Sequence, residues 1–287
     1  MTKEEILSSI RQIAEKTPGN IIEISGRSLR LFDEPLIGVG DAHDLLFTVF
    51  KNKNVIGQWH KTPEEWLLEA ESIISMFFPF SQEVKTSNAT MCSVASTEWV
   101  YGRVEGQTYI SACTKSIRDF FVKEHTEACV PSLDVRFFRI NTGIKRTLDP
   151  SDPEDGSRYP GADDKTFSSN WSERHAAFVC GLGTFGMSRG LITKKGIAGR
   201  FGSIIIAERM EADKREYEGL YDYCIKCGAC AKRCPATAIP EKELKDHSLC
   251  APVIAASRIL FAPRYGCGLC QTAVPCQDGI PLRKDRK

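Results

Sequence analysis

The sequence predicts an α+β protein in two parts, a mixed domain over 1–215 and a small cysteine-rich domain over 216–287. Three observations carry that prediction. The chain has 287 residues, enough for about two domains. Twelve cysteines are present, and eight of them crowd into 224–276. Ahead of that crowd, helical patterns mix with short apolar runs of strand type.

The elements follow in order. Thr2 and Glu5 form a capping box, and Ile6, Ile10 and Ile13 make a helical stripe behind it. A second helix start is written in HKTPEEWLLEA, with Thr62 as cap, Pro63 at the first helical position and Glu65 closing the box. SIISMFF at 72–78 is a strand-type run that Pro79 ends. Ile110, Cys113, Ile117, Phe120 and Phe121 recur at helical spacing over 109–125. Residues 145–166 form a long polar loop rich in acids and prolines. SIIIA at 203–207 predicts a short buried strand. In the cysteine-rich part, short helices and little sheet are expected.

Composition excludes several function classes. Net charge is +1, so no broad field steers the chain to nucleic acid or a membrane surface. The only basic run is the RKDRK tail. No apolar stretch reaches the length of a membrane span. The N-terminus is amphipathic and acidic rather than a secretory signal, which places the protein in the cytoplasm. A disulfide framework would need export, so the crowded eight cysteines read as metal ligands. The scattered Cys92, Cys113, Cys129 and Cys180 read as small buried apolar residues.

CGLGTFG at 180–186 contains G-x-G-x-x-G. A dinucleotide fingerprint needs a strand before it and a helix after it. Here SERHAAFVC precedes and reads as a helix capped by Ser172, while glycines 190, 196, 199 and 202 break any helix that follows. The glycines therefore mark either a helix C-terminus with a tight loop or backbone lying against a flat cofactor.

Residues 224–235 read CIKCGACAKRCP, or C-x2-C-x2-C-x3-C-P. This run wraps one [4Fe–4S] cubane with Cys224, Cys227 and Cys230 and sends Cys234 to a second cluster. Two separated C-x2-C pairs would suit zinc better. Further on, Cys250 opens a helical stretch, and YGCGLCQTAVPCQDGIP supplies Cys267, Cys270 and Cys276. A regular ferredoxin motif would place its last cysteine at the position of Val274, and this chain has Cys276 instead. The count assigns Cys276 to the first cluster, and Cys234, Cys250, Cys267 and Cys270 to the second. Two clusters form a one-electron wire, and the larger N-terminal part should hold the electron's destination.

The order ERHAAFVCGLGTFG, GLIT, a strand, C-x2-C-x2-C-x3-C-P, a lone helical cysteine and YGC-x2-CQ resembles the epoxyqueuosine reductases and is similar to their relatives, the reductive dehalogenases. The resemblance implies a nitroreductase-like cobalamin-binding domain followed by a bacterial-ferredoxin-like domain with two [4Fe–4S] clusters. It implies that Glu173, Arg174, Gly181, Gly183 and Gly186 contact the cofactor. The chain departs from the pattern at Phe167, where epoxyqueuosine reductases carry a proton-donating aspartate. Two other candidates for that role, Tyr159 and Asp164, lie in the acidic loop. His175 is expected to be a core or capping residue.

The resulting expectation is an iron–sulfur oxidoreductase that passes electrons through two clusters to cobalamin for reduction of an unnamed substrate. The alternatives are an electron-transfer or activation protein serving a partner's cofactor, or a reductase using FMN. Expected partners are an electron donor such as ferredoxin or flavodoxin, and a small-molecule substrate or corrinoid protein. Transfer RNA is not expected among them, because a basic surface and the family's C-terminal extension are missing.

Overall fold

The computed structural model describes residues 1–141, 167–240 and 243–282. The elements run α1 (Lys3–Lys16), β1 (Ile21–Ile24), β2 (Arg27–Arg30), β3 (Leu36–Asp41), α2 (Leu46–Val49), α3 (Pro63–Trp66), β4 (Ser72–Pro79), α4 (Gln82–Ala89), α5 (Thr97–Lys123) and β5 (Ala128–Cys129). They continue with β6 (Arg139–Asn141), β7 (Phe167–Ser169), α6 (Glu173–Val179), β8 (Gly183–Phe185), β9 (Leu191–Thr193), β10 (Gly199–Ile206), α7 (Ala229–Lys232) and α8 (His247–Phe261). The architecture is α+β, as the sequence predicts.

The central sheet has the order β3–β4–β10–β5, with every pairing antiparallel. β4 is buried along its whole length, which is why its residues read as a continuous apolar run rather than an alternation. Helices cover both faces. Even-numbered residues of β10 meet α5: Ile204 and Ile206 share a core with Ile110, Ile117 and Phe121. Odd-numbered residues meet α6: Phe201 packs with Phe178, and Ile205 with Val179 and Cys180. The period of two along a strand sends alternate side chains to these two cores.

Both predicted capping boxes form. The backbone N–H of Thr2 donates to Glu5 at 2.8 Å, and that of Thr62 to Glu65 at 2.6 Å. α3 is nevertheless only one turn. α5 begins at Thr97, well before the expected 109, and runs through Gly102 and Gly106. A Cβ at Gly102 would lie 2.7 Å from the Phe80 ring, and one at Gly106 would lie 2.6 Å from Phe32. These glycines bring the helix close to the aromatic layer of the core, at the expense of helix propensity. β10 likewise starts four residues earlier than expected, at Gly199, which admits the ring of Phe77. Of the scattered cysteines, Cys113, Cys129 and Cys180 are buried, but Cys92 is exposed, because it follows α4 in the open connection to α5.

After residue 216 the described residues contain short helices and no strand. This segment is pinned to the sheet domain at several points. Lys85 pairs with Asp278 at 2.6 Å, and Asn88 Nδ2 donates to the Cys267 carbonyl and to Thr272 Oγ1. Tyr217 is buried against Phe178 and donates its hydroxyl to the Phe178 carbonyl at 2.6 Å.

Candidate functional site

The glycines of CGLGTFG sit where α6 ends. Gly181 has φ +76°, the Leu182 N–H donates to Ala177 O at 3.0 Å, and the Gly181 N–H donates to Phe178 O at 3.3 Å. That pair of bonds is a Schellman cap, and it requires the left-handed residue that glycine supplies. Gly183 starts β8, and a Cβ there would stand 1.9 Å from the Ile192 carbonyl of β9. The Rossmann alternative is excluded by this order of elements, a helix before the glycines and a short hairpin after them. Ser172 precedes α6 without capping it. Its hydroxyl bonds to His175 Nδ1 at 2.7 Å instead.

Glu173 and Arg174 open α6 on either side of a division of labour. Glu173 Oε2 accepts from Ser203 Oγ at 2.6 Å, and Ser203 in turn accepts from Trp171 Nε1 at 2.9 Å. The second oxygen, Oε1, is buried without a hydrogen-bond partner. Burial pushes this carboxyl up to about 7, against the pull of Ser203. Arg174 is exposed on α6, and partial removal from water lowers the pKa of its guanidinium. His175 packs edge-on to Phe50 and tilted against Phe185, both at 4.8 Å, and burial holds it neutral with a pKa near 3. His60 is fully buried with neither ring nitrogen bonded, and burial holds it neutral with a pKa of about 4. Tyr159 and Asp164 lie outside the described residues.

The strand beside α6 is paired unequally on its two sides. β10 pairs with β4 from Gly199 to Ile206, but β5 covers only Ile205 and Ile206 on its other side. Arg200, on the uncovered stretch, donates from Nε to Gln107 Oε1 on α5 at 3.2 Å.

The eight cysteines fall into two groups. Cys224, Cys227, Cys230 and Cys276 line one recess of about 370 Å³, together with Met187, Ile192, Ile197 and Val274. Gly228, with φ +74°, turns the chain between Cys227 and Cys230. In the second group, Cys270 lies within electrostatic reach of Cys234 and Cys250, and Cys267 of Cys250 and Cys270. Cys230 and Cys270 are near enough to influence each other, so the two groups are neighbours. Their exposure differs: Cys227 is exposed, whereas Cys250 and Cys270 are buried. Burial pushes the thiols of Cys230 and Cys267 up to about 11 and that of Cys276 to about 12. Thiolates in these places need a cationic centre to hold them at neutral pH. Lys245 Nζ stands 4.0 Å from Cys270 Sγ, and the Ala238 N–H donates to Cys234 Sγ at 3.3 Å.

Comparison with known proteins agrees with this geometry. Residues 220–239 match a 4Fe-4S binding domain. The chain has the fold of the epoxyqueuosine reductases. One such structure covers 98% of this chain at a TM-score of 0.54 and 16% identity, and that of Streptococcus thermophilus covers 99% at 0.51 and 16%. A catabolic reductive dehalogenase covers 97% of the chain at 0.54 and 12% identity. The chain spans about two thirds of the reductases (67% and 68%) and 37% of that dehalogenase. One related structure holds an epoxyqueuosine-modified tRNA stem loop. No curated protein sequence matches the chain. Among the described residues, no helix is long and apolar enough to cross a membrane.

Proposed function

We propose that the protein is an iron–sulfur reductase in which two [4Fe–4S] clusters feed electrons to a corrinoid held beside Glu173 and Arg174. The observation that carries this reading is the gathering of eight cysteines into two adjacent groups, one reaching the surface and one buried. Cys224, Cys227, Cys230 and Cys276 would hold the first cluster, and Cys234, Cys250, Cys267 and Cys270 the second. Among the described residues, no three acidic, histidine or cysteine side chains converge tightly enough for a single ion. Cubane thiolates bind separate irons and stand farther apart. The exposed Cys227 marks the side where a donor such as ferredoxin or flavodoxin would deliver electrons. The buried group would be the one nearer to α6, the charge of Cys270 being felt at Arg174.

A corrinoid would supply the reductive chemistry at its metal. The fold likeness supports it. Gly181, Gly183 and Gly186 would lie beside it: Gly181 ends α6 in the left-handed conformation, and Gly183 lets β8 approach the Ile192 carbonyl. Glu173, with a raised pKa and an unpartnered oxygen, is the described residue best suited to hold a proton near neutral pH. Tyr159 and Asp164 are further candidates for that role. The substrate would be a small molecule or a corrinoid on a partner protein. FMN remains the second cofactor reading, because the same fold region would accept it.

Anaerobic iron and sulfide analysis tests the clusters: about eight irons per chain are expected. One or two zinc ions without sulfide would overturn the reading. Mixing the protein with cobalamin should give a base-off visible spectrum. Retention of flavin without that spectrum would favour FMN, and retention of neither would favour an electron carrier for a partner's cofactor.

A further inference from the structure

α1 and α8 are of similar length, 14 and 15 residues, but are built differently. Beyond its first turn, the exposed positions of α1 are Ser8, Arg11, Gln12, Glu15 and Lys16, all polar, while Ile6, Ile10 and Ala14 face the core. That division is the ordinary one for a helix on a protein surface. α8 also turns one side inward, with Cys250, Ala251 and Ser257 buried. Its outward side is apolar as well. The exposed residues of α8 are Leu249, Pro252, Ala255, Ala256, Ile259 and Leu260, with Arg258 as the sole polar one. Ile259 is 86% exposed, Leu260 64% and Leu249 50%. Steps of three and four residues put the six on one side of the helix. A helix that is apolar all round belongs in an interior, and a contiguous apolar patch left in water marks a contact surface.

Shape and charge together indicate what covers it. Ile259 and Leu260 project, and one turn earlier the small Ala255 and Ala256 leave a notch. Across a twofold axis a surface must fit itself, residue i meeting j while j meets i. Antiparallel pairing of two α8 helices satisfies this. Ile259 of each copy enters the notch at Ala256 of the other, large against small. The alanines let the two axes approach toward the short end of the usual separation of about 8–10 Å. None of the six residues is charged, so the contact brings no like charges together. Arg258 borders the face but is drawn aside, its guanidinium carbon 4.1 Å from the Tyr265 ring centroid. Opposed helix dipoles also favour the antiparallel arrangement. A membrane surface fits less well, because interfacial helices set a row of lysines and arginines beside the apolar face, and α8 offers Arg258 alone. The exposed fractions amount to on the order of 500 Å² per copy, or about 1,000 Å² for a pair, the lower limit for a specific interface. A reversible dimer of modest affinity follows.

We propose that α8 is a self-association helix, through which two copies of this chain pair antiparallel across a twofold axis. The pairing does not depend on the reductase reading. Cys250 lies on the inward side of α8, so pairing leaves the cysteine groups in place and adds a second helical layer outside them.

Sedimentation equilibrium of anaerobically purified protein, from low micromolar to near-millimolar concentration, tests the proposal. The parent should pass reversibly from one chain to two. Ile259→Glu and Ala256→Lys should each weaken association at least about 100-fold, because each would bury an unpaired charge twice per pair. Both positions face solvent in the single chain, so the visible absorption and melting temperature should match those of the parent. Ile259→Leu keeps the apolar surface and should stay within about tenfold of the parent. An equimolar mixture of the two charged variants should associate at least about tenfold more tightly than either alone, since glutamate and lysine face each other in the mixed pair. A chain that is monomeric at every concentration would overturn the pairing, and so would a dimer that both charged variants leave intact. A mixture no tighter than its components would overturn the antiparallel contact. Retention of a monomer on phosphatidylcholine–phosphatidylglycerol vesicles would assign the face to a membrane surface instead.

Discussion

The sheet domain and the cysteine-rich segment are stabilised in different ways. The sheet domain has a large apolar core of α1, α4, α5, β1, β2 and the central sheet, with Ile10, Leu29, Phe32, Ile74, Phe78 and Phe121 essentially inaccessible to solvent. The segment after residue 216 supplies only Ile239, Cys270 and Val274 to two small clusters that it shares with Met187, Ile192 and Ile197, and cysteines take up much of the space around them. A small domain with so little apolar core needs a staple. The contrast predicts unequal responses to metal loss. Removing the iron from the protein should lower amide protection across α7, α8 and the Cys267–Cys276 loop by at least about 100-fold, near 2.7 kcal/mol, while β4 and α5 keep theirs. Hydrogen exchange of apo and loaded protein reads this directly. Uniform loss in both regions would mean that the clusters also hold the sheet domain together. Cys270→Ser, at the buried group, should cost more stability than Cys227→Ser at the exposed one.

The converse experiment perturbs the sheet domain alone. Gly106→Ala adds a Cβ that would stand 2.6 Å from the Phe32 ring. Overpacking of this kind costs about 1–3 kcal/mol. Alanine's better helix propensity returns about 1 kcal/mol. A net loss of about 0–2 kcal/mol is therefore expected by denaturant unfolding, with the cluster absorption intact. A stabilised variant would show that Phe32 can move aside.

The same glycine shows what the sequence could and could not reveal. The helix over 109–123 was legible because its apolar residues keep a 3.6-residue period. Its first half was not, because Gly102 and Gly106 read as breakers when each is there to admit an aromatic ring. Gly199 and Gly202 hid the start of β10 in the same way. Once the residue is small for close approach, propensity loses its meaning. The eight cysteines stood out because thiolate coordination restricts spacing within a few residues. The contacts that pin the cysteine-rich segment did not, because Asn88, Cys267 and Thr272 come from stretches far apart in sequence. The exposed Cys92 and the diverted Ser172 are of the same kind, decided by neighbours that lie far away in sequence or by the local course of the chain.

A pH experiment sharpens the comparison at Glu173. Glu173 titrates near 7 in the folded chain, above its ordinary 4.5. Between those values the folded protein holds a proton that the unfolded chain has lost. Its contribution to stability is therefore complete below about pH 4.5, falls as pH rises toward 7, and is level above. Because Glu173 retains some solvent contact, the fall is put at about 2 kcal/mol. Glu173→Gln should flatten the decline in stability of the loaded protein between pH 5 and pH 8 by that amount. An unchanged pH profile would place the carboxyl in its ordinary ionised state and remove it as a proton donor.

The smallest expected effect concerns Lys245, which belongs to the cysteine-rich segment and leaves its fold alone. Its ammonium stands 4.0 Å from Cys270 Sγ, and the cysteine charges hold its pKa up despite burial. A reduced cluster carries one more negative charge than an oxidised one. A nearby cation therefore favours reduction and raises the potential of the second cluster. The lining of the first recess is formed largely of apolar residues and cysteines, with Lys226 on the rim. If the cysteines hold two clusters as proposed, Lys245 would favour electron flow from the surface group to the buried one. Lys245→Met keeps the length of the side chain and removes the charge. It should lower the second potential by on the order of 60 mV, equal to about 1.4 kcal/mol for one electron, and leave the first unchanged. Anaerobic redox titration followed by electron paramagnetic resonance separates the two centres. Equal shifts in both would mean that Lys245 acts through the fold, and no shift would mean that the ammonium is screened from the cluster.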